Sequence, residues 1–144
     1  IESDQLKAGV DGALALFVNE YEFELLQKRT GMTAGEILGK VEFTVITCGE
    51  CGSQIYHAGK MVKIPVVPPK QIADPTGVGD GYRGGFFTGY DRGFPLELCG
   101  KMGALAATYC LEQRGTQNHH FTRKEFIQRF REHFDDQGAL DKLL

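Results

Sequence analysis

Two short apolar runs separated by a helical pattern constrain the fold more than any other feature of this chain. The first run, residues 13–18, reads Ala-Leu-Ala-Leu-Phe-Val, and the second, residues 43–47, is rich in β-branched residues. Runs of this length that are apolar throughout are typical of strands buried on both faces. Parallel strands need a long crossover, usually a helix. The pattern therefore predicts an α/β fold in which helices cover a mostly parallel sheet.

Capping signals place two helices between these strands. The first is expected over residues 19–31 and the second over residues 33–39, each ending at a glycine. Each begins with a capping residue that is followed three positions later by a glutamate, Glu22 in the first and Glu36 in the second. This spacing is that of a capping box.

A hairpin and three helices are predicted further along the chain. Residues 53–57 and 61–67 alternate weakly around a turn at residues 58–60. Pro65 favours an edge position for this hairpin, because proline cannot donate to a central ladder. Helices are expected after a glycine-rich segment to about Tyr90, from Pro95 to about Gln113, and from Thr122, in a capping box with Glu125, to about Phe134.

Composition and charge exclude several classes of function. The 144 residues fit one domain, and 42% hydrophobic and 24% charged residues are ordinary for a globular protein. A net charge of −3 disfavours nucleic-acid binding. No apolar run approaches the roughly 20 residues of a membrane span, and the chain does not start like a signal peptide. We expect no nucleic-acid partner, no membrane association and a cytoplasmic location.

Four cysteines leave one alternative open. Cys48 and Cys51 have the spacing of half a zinc site or of a redox pair. A zinc site would need a second pair at similar spacing, and Cys99 and Cys110 are too far apart in sequence to supply it. We expect free thiols, two of them packed as small apolar residues, and retain a zinc or thiol-redox domain as a minor alternative.

The densest glycine segment carries the candidate chemistry. In residues 76–80, Thr-Gly-Val-Gly-Asp, two glycines flank one small residue just before a predicted helix. Backbone N–H groups can converge there on an anion such as a phosphate. A carboxylate directly afterwards suits proton abstraction from a hydroxyl that attacks the phosphate. An aspartate in the first helical turn is also a common cap, so these residues alone leave both interpretations open.

Known nucleotide-binding loops do not match this segment. A Walker A loop would continue with Gly-Lys and Ser or Thr, which are missing here. The dinucleotide fingerprint would need a third glycine where the chain has Tyr82.

A family resemblance decides between the two interpretations of the segment. Residues 74–85, Asp-Pro-Thr-Gly-Val-Gly-Asp-Gly-Tyr-Arg-Gly-Gly, resemble the C-terminal signature of the ribokinase-like (PfkB) family of carbohydrate and nucleoside kinases. The resemblance covers about residues 13–134 and is closest to adenosine-kinase-like or uncharacterised bacterial sugar-kinase members. Three further motifs match in order: Asn19-x-x-Glu22, Thr47-Cys48-Gly49, and an alanine-rich helix with the loop Gly115-Thr116-Gln117.

The resemblance implies a fold as well as an activity. The expected fold is the ribokinase-like, Rossmann-like three-layer α/β fold, with residues 1–144 as its C-terminal nucleotide-binding portion and the N-terminal half and lid absent. The implied activity is ATP-dependent phosphoryl transfer to a hydroxyl of a sugar or nucleoside.

Site roles follow from the same resemblance. Asp80 would be the general base, and Gly77, Val78 and Gly79 would form the anion hole for the transferred phosphoryl group. The other implied roles are nucleotide contacts at Asn19, Thr47, Gly49, Gly103, Gly115 and Gln117, Mg²⁺ held through water by Glu22, and a monovalent cation such as K⁺ at Asp74 and Thr76.

The resemblance also predicts how the isolated chain behaves. Because the residues that bind the hydroxylated substrate would lie outside it, we expect the chain alone to be inactive and to bind ATP weakly at best. An apolar strand at residues 13–18 with one flank unpaired invites pairing with another chain, so a homodimer or poor solubility is expected. The alternative function is a nucleotide- or anion-binding module without catalysis.

Overall fold

The computed structural model describes residues 15–70, 78–112 and 122–143. They fall into two compact units, divided between Ile64 and Pro65. Within these ranges, the first unit contains a sheet, two α-helices and a 3-10 turn, and the second contains three α-helices and the 3-10 helix Ala139–Leu143. Among the described residues, none of the helices has the length and apolar character that crossing a bilayer requires.

A mixed four-stranded sheet organises the first unit. β1 (Ala15–Asn19) and β2 (Phe43–Thr47) run parallel. β2 with β3 (Ser53–His57), and β3 with β4 (Lys60–Ile64), run antiparallel. A mostly parallel sheet was predicted, but the described sheet is mixed. Short turns join β2 to β3 and β3 to β4, and each of these turns reverses the chain. In spatial order the strands are β1, β2, β3 and β4.

The two outer strands of the described sheet, β4 and β1, concern two predictions: the edge position of the hairpin and pairing with a second copy. β4 ends at Ile64 instead of extending over residues 61–67, since the proline that follows cannot donate to a ladder. The hairpin does lie at an edge of the described sheet, as predicted. β1 lies at the other end, so pairing with a second copy through this strand stays a prediction.

Capping places α1 (Glu20–Thr30) and α2 (Ala34–Lys40) on the chain. Both predicted capping boxes are present, and Gly31 ends α1 with a left-handed backbone at φ 72°. Gly39 was expected to end α2, but the helix continues to Lys40. Val41 then takes an extended conformation and is buried, so the chain leaves α2 by entering the core without a left-handed glycine.

The second unit contains three α-helices. These are the three helices predicted from the sequence, and they are confirmed within the described residues. Thr122 caps the last helix by accepting a hydrogen bond from the Glu125 amide at 3.1 Å, which is half of the predicted capping box. The four-residue spacing of Phe126, Phe130 and Phe134 predicts a buried stripe, and the structure buries the first two and half-buries Phe134. The helices are α3 (Val78–Asp91), α4 (Leu96–Glu112) and α5 (Arg123–His133).

Glycines on one face of α3 allow it to pack closely on α4. A Cβ added at Gly81 would lie 2.5 Å from Cys110 Sγ, and one added at Gly85 would lie 2.6 Å from the Met102 carbonyl oxygen. An added Cβ at Gly89 would lie 2.9 Å from Met102 Sδ, an atom of a flexible side chain, so this position is less restricted than Gly85. Because positions four apart share a helix face, the three glycines form one continuous contact.

Neighbouring glycines of α3 differ in what surrounds them, which gives a matched test of this packing. Gly85→Ala should destabilise the protein, because the new Cβ meets a backbone oxygen and overpacking of this kind costs about 1–3 kcal/mol. Gly84→Ala should stabilise it by about 0.5–1 kcal/mol, since alanine is the better helix former and no described atom lies within 4 Å of the added Cβ. Urea denaturation of both variants measures the two changes, and changes of the same sign would contradict the account.

Candidate functional site

Parallel pairing brings together two site residues that were predicted from separate motifs. Asn19 at the end of β1 is the register partner of Thr47 at the end of β2. The carboxyl ends of adjacent parallel strands are the usual location of ligand crevices in α/β sheets. Cys48 follows Thr47 and precedes a short 3-10 turn, Gly49–Cys51.

The capping box at the start of α1 occupies only part of the polar capacity of Asn19 and Glu22. Asn19 Oδ1 accepts a hydrogen bond from the Glu22 amide at 2.7 Å, and Glu22 Oε1 accepts one from the Asn19 amide at 2.9 Å. Capping makes no use of the side-chain NH₂ of Asn19, which can donate to a phosphate oxygen. A carboxylate has about four acceptor sites, so Glu22 can also accept a hydrogen bond from metal-bound water.

Thr47 and Gly49 have local structural roles. Thr47 is half-buried at the end of the strand, opposite Ser53 of β3. Gly49 is exposed with φ 59°, a left-handed conformation that favours glycine. Their nucleotide contacts stay predictions.

The first turn of α3 presents the described part of the glycine-rich motif. Val78, Gly79 and Asp80 are its first three residues, and the leading N–H groups of a helix have no partner within it. Gly79 is exposed, and no described atom lies within 4 Å of an added Cβ. Packing therefore explains the glycines at positions 81, 85 and 89, but it does not explain the one at position 79.

Asp80 presents an accessible carboxylate at this helix end. Its side chain is 87% exposed, and Arg83 Nη1 lies 3.5 Å from its Oδ1. Exposed pairs of this kind contribute little to stability, and the carboxylate stays open to a ligand. Arg83 was not predicted as a partner of Asp80, although residues three apart on a helix are neighbours on its surface.

Gly103 is placed in the helix packing. It is buried in α4, and an added Cβ would lie 2.8 Å from the Tyr82 carbonyl oxygen. The close approach of α3 accounts for glycine at this position, and its predicted nucleotide contact stays a prediction. The remaining predicted site residues lie outside the described residues: Asp74, Thr76, Gly77, Gly115 and Gln117.

The cysteines give little support to a zinc or redox site. Burial and then a hydrogen bond with Glu20 raise the pKa of the Cys48 thiol to about 11, so it is protonated at neutral pH. A protonated thiol is a poor nucleophile, which disfavours a redox role for Cys48. Cys99 and Cys110 are buried, which fits small apolar packing. The described part of the chain contains no group of three or more His, Cys, Asp or Glu residues able to hold a metal.

The second unit contains a buried ion pair that was not among the predicted features. Arg129 of α5 donates two hydrogen bonds to the Glu112 carboxylate at the end of α4. The signal was available in the spacing, because Glu112 continues the inner stripe of α4 and Arg129 lies beside Phe126 and Phe130 on α5. Opposite charges on two buried stripes predict a pair.

Comparison with known proteins identifies the family. Residues 2–123 match the sequence profile described as pfkB family carbohydrate kinase. A nucleoside kinase of Methanocaldococcus jannaschii is 36% identical over 118 residues, which is 82% of this chain and 39% of that protein. A nucleoside kinase of Methanothermobacter thermautotrophicus is 34% identical over 130 residues, which is 88% of this chain and 40% of that protein.

A solved structure confirms the predicted fold class. Burkholderia thailandensis nucleoside kinase in complex with inosine matches with a TM-score of 0.91 at 33% identity. The match covers 93% of this chain and 45% of that one, so the chain spans less than half the length of its relatives. The profile match, the relatives and the shared ribokinase-type α/β fold show that this chain belongs to the pfkB family of carbohydrate kinases.

Proposed function

We propose that this chain is the C-terminal, nucleotide-binding portion of a kinase that transfers the γ-phosphoryl group of ATP to a hydroxyl group. One observation carries the proposal: the first turn of α3 joins an exposed carboxylate, Asp80, to a glycine that packing among the described residues does not require. Binding an anion alone would be opposed by that carboxylate, whereas phosphoryl transfer to a hydroxyl uses it to remove the hydroxyl proton.

The anion hole would be built from backbone groups at the start of α3. N–H groups of Gly77, Val78 and Gly79 would point at the transferred phosphoryl group, where the helix end carries partial positive charge. Because no described atom lies within 4 Å of a Cβ added at Gly79, an oxygen could approach the backbone there without meeting a described side chain. Fixed donors of this kind stabilise charge that develops in the transition state.

Asp80 would act as the general base. The acceptor hydroxyl gives its proton to an Asp80 carboxylate oxygen, and its oxygen forms a bond to the γ-phosphorus. The bond between that phosphorus and the bridging oxygen to the β-phosphate breaks, and ADP leaves. Positioning matters more than covalent chemistry in this reaction. The location of Asp80 in the first turn of α3 is therefore part of the mechanism.

Metal ions would act through the phosphates. Glu22 fits a hydrated Mg²⁺ held through water, with Asn19 donating to a phosphate, since Mg²⁺ commonly keeps waters and takes few carboxylates in kinase sites. Magnesium supplies neutralisation of phosphate charge when bound. Asp74 and Thr76 would hold a monovalent cation such as K⁺.

Further residues would contact the nucleotide. Thr47 and Gly49 would contribute from the end of β2, and Gly103, Gly115 and Gln117 from α4 and the residues after it. Asn19 would contribute its side-chain amide. The described geometry supports Asn19 and Thr47 most directly, because they are register partners.

A nucleoside is the favoured hydroxylated substrate, with a sugar second. The relatives at 36% and 34% identity are named nucleoside kinases, and the Burkholderia thailandensis enzyme was solved with inosine. The family description as carbohydrate kinases keeps a free sugar in consideration. Because the chain covers 39% and 40% of the two curated relatives, we propose that it does not phosphorylate either substrate alone.

Replacing Asp80 tests the assignment of the general base. In the intact kinase, meaning this chain together with the rest of the ribokinase fold, Asp80→Asn should lower kcat by about 10²–10⁴-fold. The KM for ATP should change little, because asparagine keeps the size and polarity of the side chain. Initial rates of ADP formation with inosine and with ribose as acceptors measure both constants.

The matched control for this test is Asp91→Asn, an exposed aspartate at the other end of α3. Its kcat should equal that of the parent. A near-parental kcat for Asp80→Asn would show that Asp80 only caps the helix. An intact parent protein that binds ATP without turning over any acceptor would instead favour the non-catalytic binding module.

A further inference from the structure

The Glu112–Arg129 pair is buried and geometrically well defined. Arg129 Nη1 and Nη2 donate to Glu112 Oε1 and Oε2 at 2.7 and 2.6 Å, and the two side chains are only 9% and 7% exposed. Parallel bonds of this kind fix orientation as well as proximity. Burial alone would raise the pKa of Glu112, but hydrogen bonds from Arg129 and Lys70 outweigh it and lower that pKa, so the carboxylate is ionised at neutral pH.

Glu112 also holds a segment that has no regular structure of its own. The backbone amide of Lys70 donates to Glu112 Oε2 at 2.6 Å. One helical turn earlier on α4, Thr108 Oγ1 donates to the Val67 carbonyl oxygen at 2.7 Å. Residues 65–70 are therefore attached to α4 at two points, and the backbone polar groups that they bury there are satisfied by side chains.

Arg129 is itself held in place. Its guanidinium carbon lies 4.7 Å from the centroid of the Tyr109 ring, and that ring stacks on Phe126 at 6.1 Å. A guanidinium over an aromatic face is attracted by the ring and loses freedom to rotate. Arg129 thus presents its two donors to Glu112 in a fixed plane.

Stability alone does not account for a charged pair at this place. Apolar residues of similar volume often replace a buried ion pair with equal or greater stability. They could not accept the hydrogen bond from the Lys70 amide, so this attachment of the segment to α4 would be lost. The distinctive property of Glu112 is that one carboxylate accepts from α5 and from the segment before residue 71 at once.

The position of this contact along the chain gives it a functional meaning. Lys70 directly precedes residues 71–77, which contain the predicted site residues Asp74, Thr76 and Gly77. On the far side of that stretch, α3 packs through Gly81 against Cys110 of α4. Both flanks of residues 71–77 are therefore attached to the last turns of the same helix.

We propose that Glu112, oriented by Arg129, is a positioning residue for phosphoryl transfer. It fixes the backbone at Lys70, and so it fixes the point from which the chain continues toward the predicted phosphate-binding residues 76–80. This inference rests on the proposed function. It assigns Glu112 no contact with substrate or nucleotide, and it predicts that activity depends on the acceptor at position 112 more than on the charge.

Two charge-free pairs separate positioning from stability. Glu112→Gln with Arg129→Met keeps an oxygen that can accept from the Lys70 amide, whereas Glu112→Leu with Arg129→Met does not. Both remove the buried charges together, so neither leaves an uncompensated ion. In the intact kinase, the leucine variant should lose about 10- to 100-fold in kcat/KM for ATP, the penalty expected for a small misplacement of reacting groups. The glutamine variant should stay within about threefold of the parent, since its contact to Lys70 is retained.

Amide hydrogen exchange at Lys70, measured by NMR on this chain, provides a readout independent of activity. Protection of the Lys70 amide should be retained in the glutamine variant and lost in the leucine variant. Glu112→Asp serves as a second variant if the leucine pair does not fold, because it keeps the charge but withdraws the acceptor by one methylene, and it should lower Lys70 protection and ATP kcat/KM together. Glu97→Gln, which breaks the exposed pair with Lys101 on the same helix, is the control and should change neither quantity.

The outcomes distinguish this inference from the proposed function. Equal kcat/KM and equal Lys70 protection in the two charge-free variants would overturn the positioning role and leave Glu112 as a structural residue. Loss of Lys70 protection without any loss of kcat/KM would overturn it as well. An intact parent protein without phosphotransferase activity would refute the proposed function, and this inference would fall with it, whatever the exchange data at Lys70.

Discussion

The close approach of α3 to α4 is the constraint on which the second unit depends. It leaves no room for a Cβ at Gly85 or Gly103, each of which faces a backbone carbonyl oxygen of the other helix, whereas Gly81 and Gly89 face side-chain sulfur atoms of α4. Because Asp80 lies in the first turn of α3, the depth of this contact also sets where the carboxylate stands relative to α4. α4 also carries Glu112 at its end, and Glu112 accepts a hydrogen bond from Lys70. The described residues on both sides of residues 71–77 are therefore in contact with α4.

In the first unit, strand register positions the predicted site residues. Parallel pairing of β1 with β2 places Asn19 beside Thr47, and the capping box that starts α1 holds Asn19 and Glu22 in fixed orientations. Helix capping and ligand binding draw on different atoms of these side chains, so one pair of residues can serve both purposes. A structural role at such positions is therefore no argument against a functional one.

Local signals in the sequence were sufficient where the structure depends on neighbours along the chain. The capping boxes at Asn19 and Thr33, the β2 strand and the break after α3 all follow from short patterns, and each is observed. The end of α2 and the separate duties of the glycines could not be predicted, because they depend on what lies across the fold. No pattern distinguishes Gly85, which meets a carbonyl oxygen of α4, from Gly84, which meets nothing within the described residues.

The central claim is that the first turn of α3 receives the phosphates of the nucleotide. NMR titration of this chain with a magnesium complex of a non-hydrolysable ATP analogue, followed through backbone amide shifts up to millimolar concentration, tests it most directly. The account predicts weak binding in which the amides of Val78, Gly79 and Asp80 shift together while Gly93, beyond the far end of α3, does not. Unchanged resonances at Val78, Gly79 and Asp80 throughout the titration would contradict it.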